Sequence, residues 1–187
     1  MTTAAIISYF AAGLFLAMLL ATMAIYNRLI ALNRRCDQAS ADIDVQLKQR
    51  HDLIPNLVET VKGYAGHERG TLEAVIKARS TAMASPSTGN EAALGSALIR
   101  LMAVAEAYPD LKANTGFAEL QVEISDTENK IAAARRYLNN ASNEYNTSRE
   151  VFPANVVANL FDFPARDAGV IGKDERAPLD AAPAVRF

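Results

Sequence analysis

The sequence contains very few of the side chains from which disulfides, metal sites and reactive centres are built. Among its 187 residues are one cysteine, two histidines and no tryptophan. Cys36 has no second cysteine with which to form an intramolecular disulfide, and His51 and His67 lack the further ligands of a zinc site. We therefore expect no metal centre.

Motifs for nucleotide binding and nucleophilic catalysis are also missing. No Gly-x-Gly-x-x-Gly, Walker loop or Gly-x-Ser-x-Gly elbow occurs in the chain. Acidic pairs do occur, for example Asp42 with Asp44, but side chains two residues apart on a helix point in different directions. The sequence thus predicts no catalytic residues, no bound cofactor and no enzymatic activity.

The composition is that of one folded domain with little net charge. Half of the residues are apolar, and nine glycines with seven prolines are too few for a fibrous or low-complexity chain. The 19 basic and 21 acidic residues leave a net charge of −2. Since no cationic field results, nucleic acid is not an expected partner.

The N-terminus carries one long uncharged apolar run. From Ala4 to Tyr26 this run is long enough to cross the roughly 30 Å hydrocarbon core of a bilayer as a helix. A cleavable signal peptide is the alternative, but no basic residue precedes the run and no break separates it from the helical sequence that follows. We predict a transmembrane anchor over residues 1–27. Because Arg28, Arg34 and Arg35 follow the anchor, the positive-inside rule favours an outer N-terminus and a cytoplasmic body.

Small residues recur at every fourth position within the anchor, at Gly13, Ala17 and Ala21. This spacing places them on one helix face, where they allow two helices to approach closely in lipid. Alanine is abundant throughout the anchor, so the same spacing also arises by chance. The pattern is consistent with homo-oligomerisation and does not by itself decide it.

Beyond the anchor, apolar residues follow a helical period. A stripe with steps of three and four runs from Leu29 to Tyr64 and predicts one long helix that leaves the membrane and continues into the body. Pro55 removes a backbone donor within this helix, so we expect a bend or a restart near Asp52. Two shorter helices follow, and Asn90 is the predicted cap of the second of them.

The most regular pattern extends from Phe117 to Phe152. Its steps of three and four are typical of a helix that packs along another long helix, and no segment shows the alternation of a strand. The sequence predicts an all-α fold, in which an N-terminal transmembrane helix continues into an elongated antiparallel helical bundle followed by a short amphipathic helix. The bundle is expected to span residues 28–163.

Arg50 falls between Leu47 and Ile54 of the first long helix, within the polar triplet Arg50, His51 and Asp52. If Arg50 sits on the apolar seam, its buried guanidinium needs an acidic partner, and a buried ionic layer with the last long helix is then expected. The candidate partners are Glu123, Asp126 and Glu128. A solvated helix face is the expected location of at least two residues of the triplet formed by Arg50, His51 and Asp52.

A short amphipathic helix is predicted after Pro153. Its apolar side comprises Val156, Val157, Leu160 and Phe161. This helix can dock on its own bundle, rest on a bilayer or contact a neighbouring subunit, and the absence of basic residues argues against binding to anionic headgroups. Residues 164–187 have no persistent period and are expected to form a C-terminal tail.

Several sequence blocks, in the same order, resemble those of bacterial LemA family proteins. The blocks are Tyr26 to Leu29, Gln46 to Glu68, Ala105 to Asn114, Leu120 to Tyr137 and Glu144 to Asn146. The resemblance implies a single N-terminal transmembrane helix and a cytoplasmic antiparallel bundle, and hence the bacterial inner membrane. This chain departs from the family pattern at Thr115 and Gly116, where the family usually has a more helix-favouring pair, and in its shortened, Ala-rich tail.

The resemblance supplies no catalytic residues. It raises two classes of partner, because some family members are associated with membrane proteases of the HtpX type or with magnetosome membranes. Two functions are therefore expected: a non-catalytic membrane scaffold or adaptor that self-associates, or a membrane-tethered sensor that binds a small ligand in the bundle core. The partners of the first would be membrane lipid, further copies of the chain and a membrane protein.

Overall fold

The structure is a computed structural model that describes residues 3–166. Within that range the chain forms helices and no strand, which confirms the predicted all-α fold. The helices are α1 (Thr3–Tyr64), α2 (Arg69–Ala84), α3 (Thr88–Glu106), α4 (Pro109–Lys112), α5 (Thr115–Glu150) and α6 (Ala154–Leu160). Most of the predicted tail, residues 167–187, lies outside the described residues.

The chain divides into two compact units. Residues 41–135 form one unit, here called the central unit, and the described residues on either side of it, 3–40 and 136–166, form the other, here called the terminal unit. The chain passes from one unit to the other at residues 40 and 135, within α1 and α5, so both helices contribute to both units. The boundaries expected from the sequence lie elsewhere, at residues 27 and 163.

The helix α1 is continuous over 62 residues. It passes residue 27 without interruption, so the apolar run and the body belong to one helix, as predicted. It also continues through Pro55, which means that the helix does not restart there. Its last residue is Tyr64, and the amide of Ala65 still donates to the carbonyl of Val61 at 2.8 Å.

The central unit is held by one hydrophobic core. Its buried side chains come from five helices and include Ile54, Leu57, Val61, Val75, Leu94, Leu101, Leu111 and Phe117. Within this unit α1 and α5 are antiparallel: Arg50 of α1 faces Glu128, whereas Tyr64, later in α1, accepts from Asn114, which precedes α5. The antiparallel pairing expected from the two long apolar stripes is thus present here.

Two helix starts in the central unit depend on local side-chain caps. Ser87 caps α3, since its hydroxyl accepts from the amide of Asn90 at 3.1 Å. The prediction that Asn90 is the cap was therefore wrong: its side chain instead donates to the carbonyl of Ser85 at 2.6 Å. Asn114 caps α5 by accepting from the amide of Phe117 at 2.9 Å. Because that cap sets the start of α5, the helix begins at Thr115 despite the glycine that follows.

The apolar seam predicted on α5 is buried along most of its length. The buried members are Phe117, Ile124, Thr127, Ile131, Leu138, Ala141 and Tyr145. Phe152 departs from the pattern because α5 ends at Glu150, and this ring is 80% exposed. On α1 the stripe is buried from Leu29 to Val61 except at Leu47, which is partly buried, while Tyr64 is exposed at 44%.

Candidate functional site

A buried ionic layer lies in the central unit. The guanidinium of Arg50 forms a charged hydrogen bond with the carboxylate of Glu91 in the first turns of α3, and its other terminal nitrogen lies 3.5 Å from Glu128 of α5. Arg50 and Glu91 are both 5% exposed, whereas the side chain of Glu128 is 46% exposed. The layer therefore joins three helices around one buried pair.

His51 contributes a second nitrogen to the same carboxylate. Its Nε2 lies 3.1 Å from Oε1 and 3.4 Å from Oε2 of Glu91. The approach to Oε1 is close in distance but lacks hydrogen-bond geometry, since that oxygen has no hydrogen-bond partner. The hydrogen bond between His51 and Glu91 is therefore the contact with Oε2.

The structure places Arg50 in a buried ionic layer whose main partner is not one of the three candidates. Glu128 is the one of the three candidates that reaches the guanidinium, while Glu123 and Asp126 line an open acidic groove on α5. The main partner, Glu91, was missed. Of the polar triplet only Asp52 is exposed, so the expectation of at least two solvated residues was wrong, because α3 and α5 cover the other two.

The position of Glu91 carries a signal that the sequence analysis did not use. Glu91 precedes Leu94 by three residues, which places the carboxylate on the buried face of α3 together with Leu98 and Leu101. A charged residue on an apolar stripe indicates a buried partner elsewhere. Arg50 is in the same situation on α1, with the opposite charge, and the two residues pair with each other.

The backbone near Pro55 is satisfied by a side chain. In an uninterrupted helix the amide of residue 55 would donate to the carbonyl of His51, but proline has no amide hydrogen. The Nε of Arg79, on α2, donates to that carbonyl at 2.7 Å. This bond supplies the missing donor and explains how the helix continues past the proline.

We predict that Arg79→Met lowers the stability of the wild-type chain by about 1–2 kcal/mol, because it leaves the carbonyl of His51 without a donor. In the Pro55→Ala background the loss should be smaller, since an amide at position 55 can donate instead. Urea denaturation in mild detergent measures both, and Lys77→Met on the exposed face of α2 is the matched control. Equal losses in the two backgrounds would contradict this role.

In the terminal unit, the segment after α6 is fixed against α5 and α1. The backbone of Arg166 exchanges two hydrogen bonds with the side chain of Asn146, at 2.7 and 2.9 Å. Its guanidinium donates to Asn33 at 2.7 Å and to Asp37 at 2.5 Å. The first residues of the expected tail, 164–166, are therefore bound to the helices.

Tyr145 anchors the same segment from within the unit. Its ring is fully buried, and its hydroxyl donates to the carbonyl of Pro164 at 2.9 Å. Burial raises the pKa of the Tyr145 phenol, while the nearby Arg149 and Arg166 lower it. Because the pKa moves upward from an ordinary value of 10.0, the hydroxyl is protonated at neutral pH, as in any tyrosine, and can donate. The last block of the LemA resemblance is therefore structural here. Tyr145 and Asn146 hold this segment, and Glu144 forms a 3.8 Å ion pair with Arg35.

The structure separates the residues that were assigned to one side of α6. Val157 is buried against the terminal unit, together with Ala158. Val156, Leu160 and Phe161 are exposed at 57%, 73% and 50%. The helix therefore docks through Val157, and the other three residues form a separate apolar surface.

Among residues 3–166 one helix, α1, is long and apolar enough to cross a membrane. None of its most apolar stretch is buried, and the ring of Phe10 is 77% exposed. Gly13, Ala17 and Ala21 are exposed on this part of the helix, and a Cβ added at Gly13 would meet no atom within 4 Å. No other part of the described chain covers this face at Gly13.

An open apolar groove lies where this run ends. It is lined by residues of α1 and by one residue that follows α6: Phe15, Met18, Leu19, Thr22, Met23, Tyr26 and Phe161. Tyr26 makes edge-to-face contacts with Phe161 and Phe163, with ring centroids 5.0 and 5.5 Å apart. Within residues 3–166 no cluster of three His, Cys, Asp or Glu side chains is arranged to hold a metal ion.

These features define a helical protein whose N-terminal helix carries a candidate membrane span. The LemA family model matches residues 39–187, which is most of the chain. The protein therefore belongs to the LemA family. A comparison with curated proteins found no match.

Proposed function

We propose that this protein is a membrane-anchored, non-catalytic scaffold or adaptor that self-associates and organises either the membrane or a partner membrane protein. The observation that carries the proposal is the exposed apolar run of α1, which continues without a break into the buried helix of the bundle. Exposed leucines and phenylalanines over six helical turns favour a lipid environment. The unbroken helix favours a permanent anchor over a cleaved leader.

The proposed topology places the N-terminus outside and the bundle in the cytoplasm of a bacterial inner membrane. Its basis is the group of basic residues that directly follows the apolar run, Arg28, Arg34 and Arg35. A membrane protease is one class of partner that fits this location.

Self-association is supported by the small-residue face of the span. Gly13, Ala17 and Ala21 lie on one face, and the space around Gly13 is open, so a second helix can approach closely there. The buried ionic layer supports a structural role for the body, since its charged groups bind one another. Such a layer fixes which helices pack together and in which register.

The size of the particle extracted from native membranes with mild detergent tests self-association. We expect a defined assembly of several 20.2 kDa subunits, which Gly13→Leu converts to smaller species because the side chain separates the helices. Ala11→Leu, on the opposite face of the span, is the matched control and should leave the assembly intact. A strictly monomeric wild-type protein would contradict the proposal.

The alternative function is a membrane-tethered sensor that binds a small ligand in the bundle core. It needs an enclosed, partly polar cavity between helices. The two grooves described above, one beside Tyr26 and one beside Glu123, are open at the surface. Neither groove is a cavity of this kind, so no observation on these two surfaces supports the sensor.

A further inference from the structure

The helix α6 has two apolar surfaces, of which its own unit covers only one. Val157 and Ala158 are buried, whereas Val156 and Leu160, four residues apart, share a face that is exposed. Phe161 extends this exposed surface beyond the end of the helix. We call Val156, Leu160 and Phe161 the outer face of α6.

The chain holds α6 in a fixed position. Asp162 adopts a left-handed conformation with φ of 52°, and the amide of Phe163 donates to the carbonyl of Ala158 at 2.9 Å, which ends the helix with a reversal of the chain. The carbonyl of Phe163 then accepts from Nε of Arg149 at 2.9 Å. The helix that carries the outer face is thus held in two places: its buried residues Val157 and Ala158 pack on the terminal unit, and the segment after its end is bonded to Arg149.

The contact between Phe161 and Tyr26 sets the position of the outer face along the span. Tyr26 is the last residue of the apolar run, which begins at Ala4 and, at roughly 1.5 Å per residue, extends about 33 Å as a helix, enough to cross the hydrocarbon core. Phe161 packs on Tyr26 and lines one groove with Met18 and Met23 from the preceding turns. If the run spans a bilayer, Phe161 lies at the boundary between hydrocarbon and headgroups.

We propose that the outer face of α6 is a second membrane contact, with Leu160 and Phe161 inserted into the boundary region of the leaflet at which the span ends. The proposal rests on the proposed membrane anchoring. Aromatic residues such as Tyr26 and Phe161 favour this depth in a bilayer. The short helix thereby fixes the body against the membrane surface in addition to the link through α1.

The charge of α6 defines the lipid chemistry. From Ala154 to Phe163 there is no lysine or arginine, and Asp162 carries the only ionisable side chain. Insertion therefore depends on apolar burial, and not on attraction to anionic headgroups. Zwitterionic phosphatidylcholine is a sufficient partner for this surface.

Tryptophan fluorescence tests the proposal directly, because the chain contains no tryptophan of its own. We would reconstitute three single-tryptophan variants of the full chain into phosphatidylcholine vesicles that contain lipid with brominated acyl chains. Leu160→Trp probes the outer face, Leu19→Trp probes the span, and Val122→Trp probes an exposed apolar position of the central unit. We expect blue-shifted emission and loss of most of the intensity for Leu160→Trp and Leu19→Trp, with neither effect for Val122→Trp.

The possible outcomes separate the two proposals. Quenching of Leu19→Trp alone would overturn the role of α6 and leave the anchor supported, whereas no quenching of Leu19→Trp would overturn the anchor as well. Blue-shifted but unquenched emission from Leu160→Trp would indicate cover by another protein chain and would overturn the lipid contact. Quenching of all three variants would show that the outer face is not a distinct contact, which also overturns the proposal.

Discussion

Arg50→Met is expected to lower the free energy of unfolding by about 3–5 kcal/mol, the usual effect of removing one partner from a buried ion pair. The substitution leaves the carboxylate of Glu91, itself only 5% exposed, with His51 as its remaining partner. Glu91→Leu should be similarly harmful, because Arg50 then retains only the half-exposed Glu128. Urea denaturation of the full chain in mild detergent, followed by circular dichroism, measures both losses.

The double variant Arg50→Met with Glu91→Leu distinguishes a true pair from two independent sites. We expect its loss to be smaller than the sum of the single losses by about 1–3 kcal/mol, because neither charge then remains buried alone. Glu123→Gln is the matched control: this carboxylate was a candidate partner, but it lies in the open groove, so its loss should stay within about 0.5 kcal/mol. Strictly additive losses would contradict the ionic layer.

Leu14→Arg combined with Leu19→Arg is expected to remove the protein from the membrane fraction. Both leucines lie in the middle of the apolar run and are more than half exposed. Each arginine at the centre of a spanning helix costs about 2.5–3.5 kcal/mol of insertion free energy, so two of them should abolish stable insertion. Carbonate extraction of membranes followed by immunoblotting of pellet and supernatant provides the measurement.

A matched double variant controls for the added charge itself. Val45→Arg with Val122→Arg introduces the same two arginines at exposed valines outside the run, on α1 and α5. This protein should remain in the membrane pellet. Retention of the Leu14→Arg, Leu19→Arg protein in the carbonate-washed pellet would count against a membrane span, as would a mature wild-type chain that lacks the run.

A charged residue in an apolar stripe of the sequence indicates one member of a buried ion pair, but it does not identify the partner. Arg50 could be found from the sequence because it occupies a stripe position on a long regular helix. Its principal partner was missed because Glu91 lies near a helix start, where an acidic residue is also explained by the helix dipole. Which acid reaches the guanidinium depends on how α1, α3 and α5 pack, and helical periodicity does not contain that information.

The cap of α3 and the packing of α6 also depend on contacts that the sequence pattern does not specify. Asn90 and Ser87 are both good capping residues, and only the backbone path of the turn decides that the serine accepts and the asparagine donates. The sequence predicted a short helix after Pro153, and α6 is present there, but its four apolar residues do not share one buried side. The sequence did not predict that Val157 alone of the four apolar residues would be buried, because a helix of seven residues can dock through more than one face.

The sequence by itself determined the all-α fold, the single apolar run at the N-terminus, the two long apolar stripes and the resemblance to LemA proteins. These properties follow from local periodicity and composition, which each segment carries independently of the others. Only the tertiary structure decided that Glu91 pairs with Arg50, that Arg79 donates to the carbonyl left open by Pro55, and that Phe161 packs on Tyr26. Such contacts join residues distant in the chain, and their geometry exists only once the helices have packed.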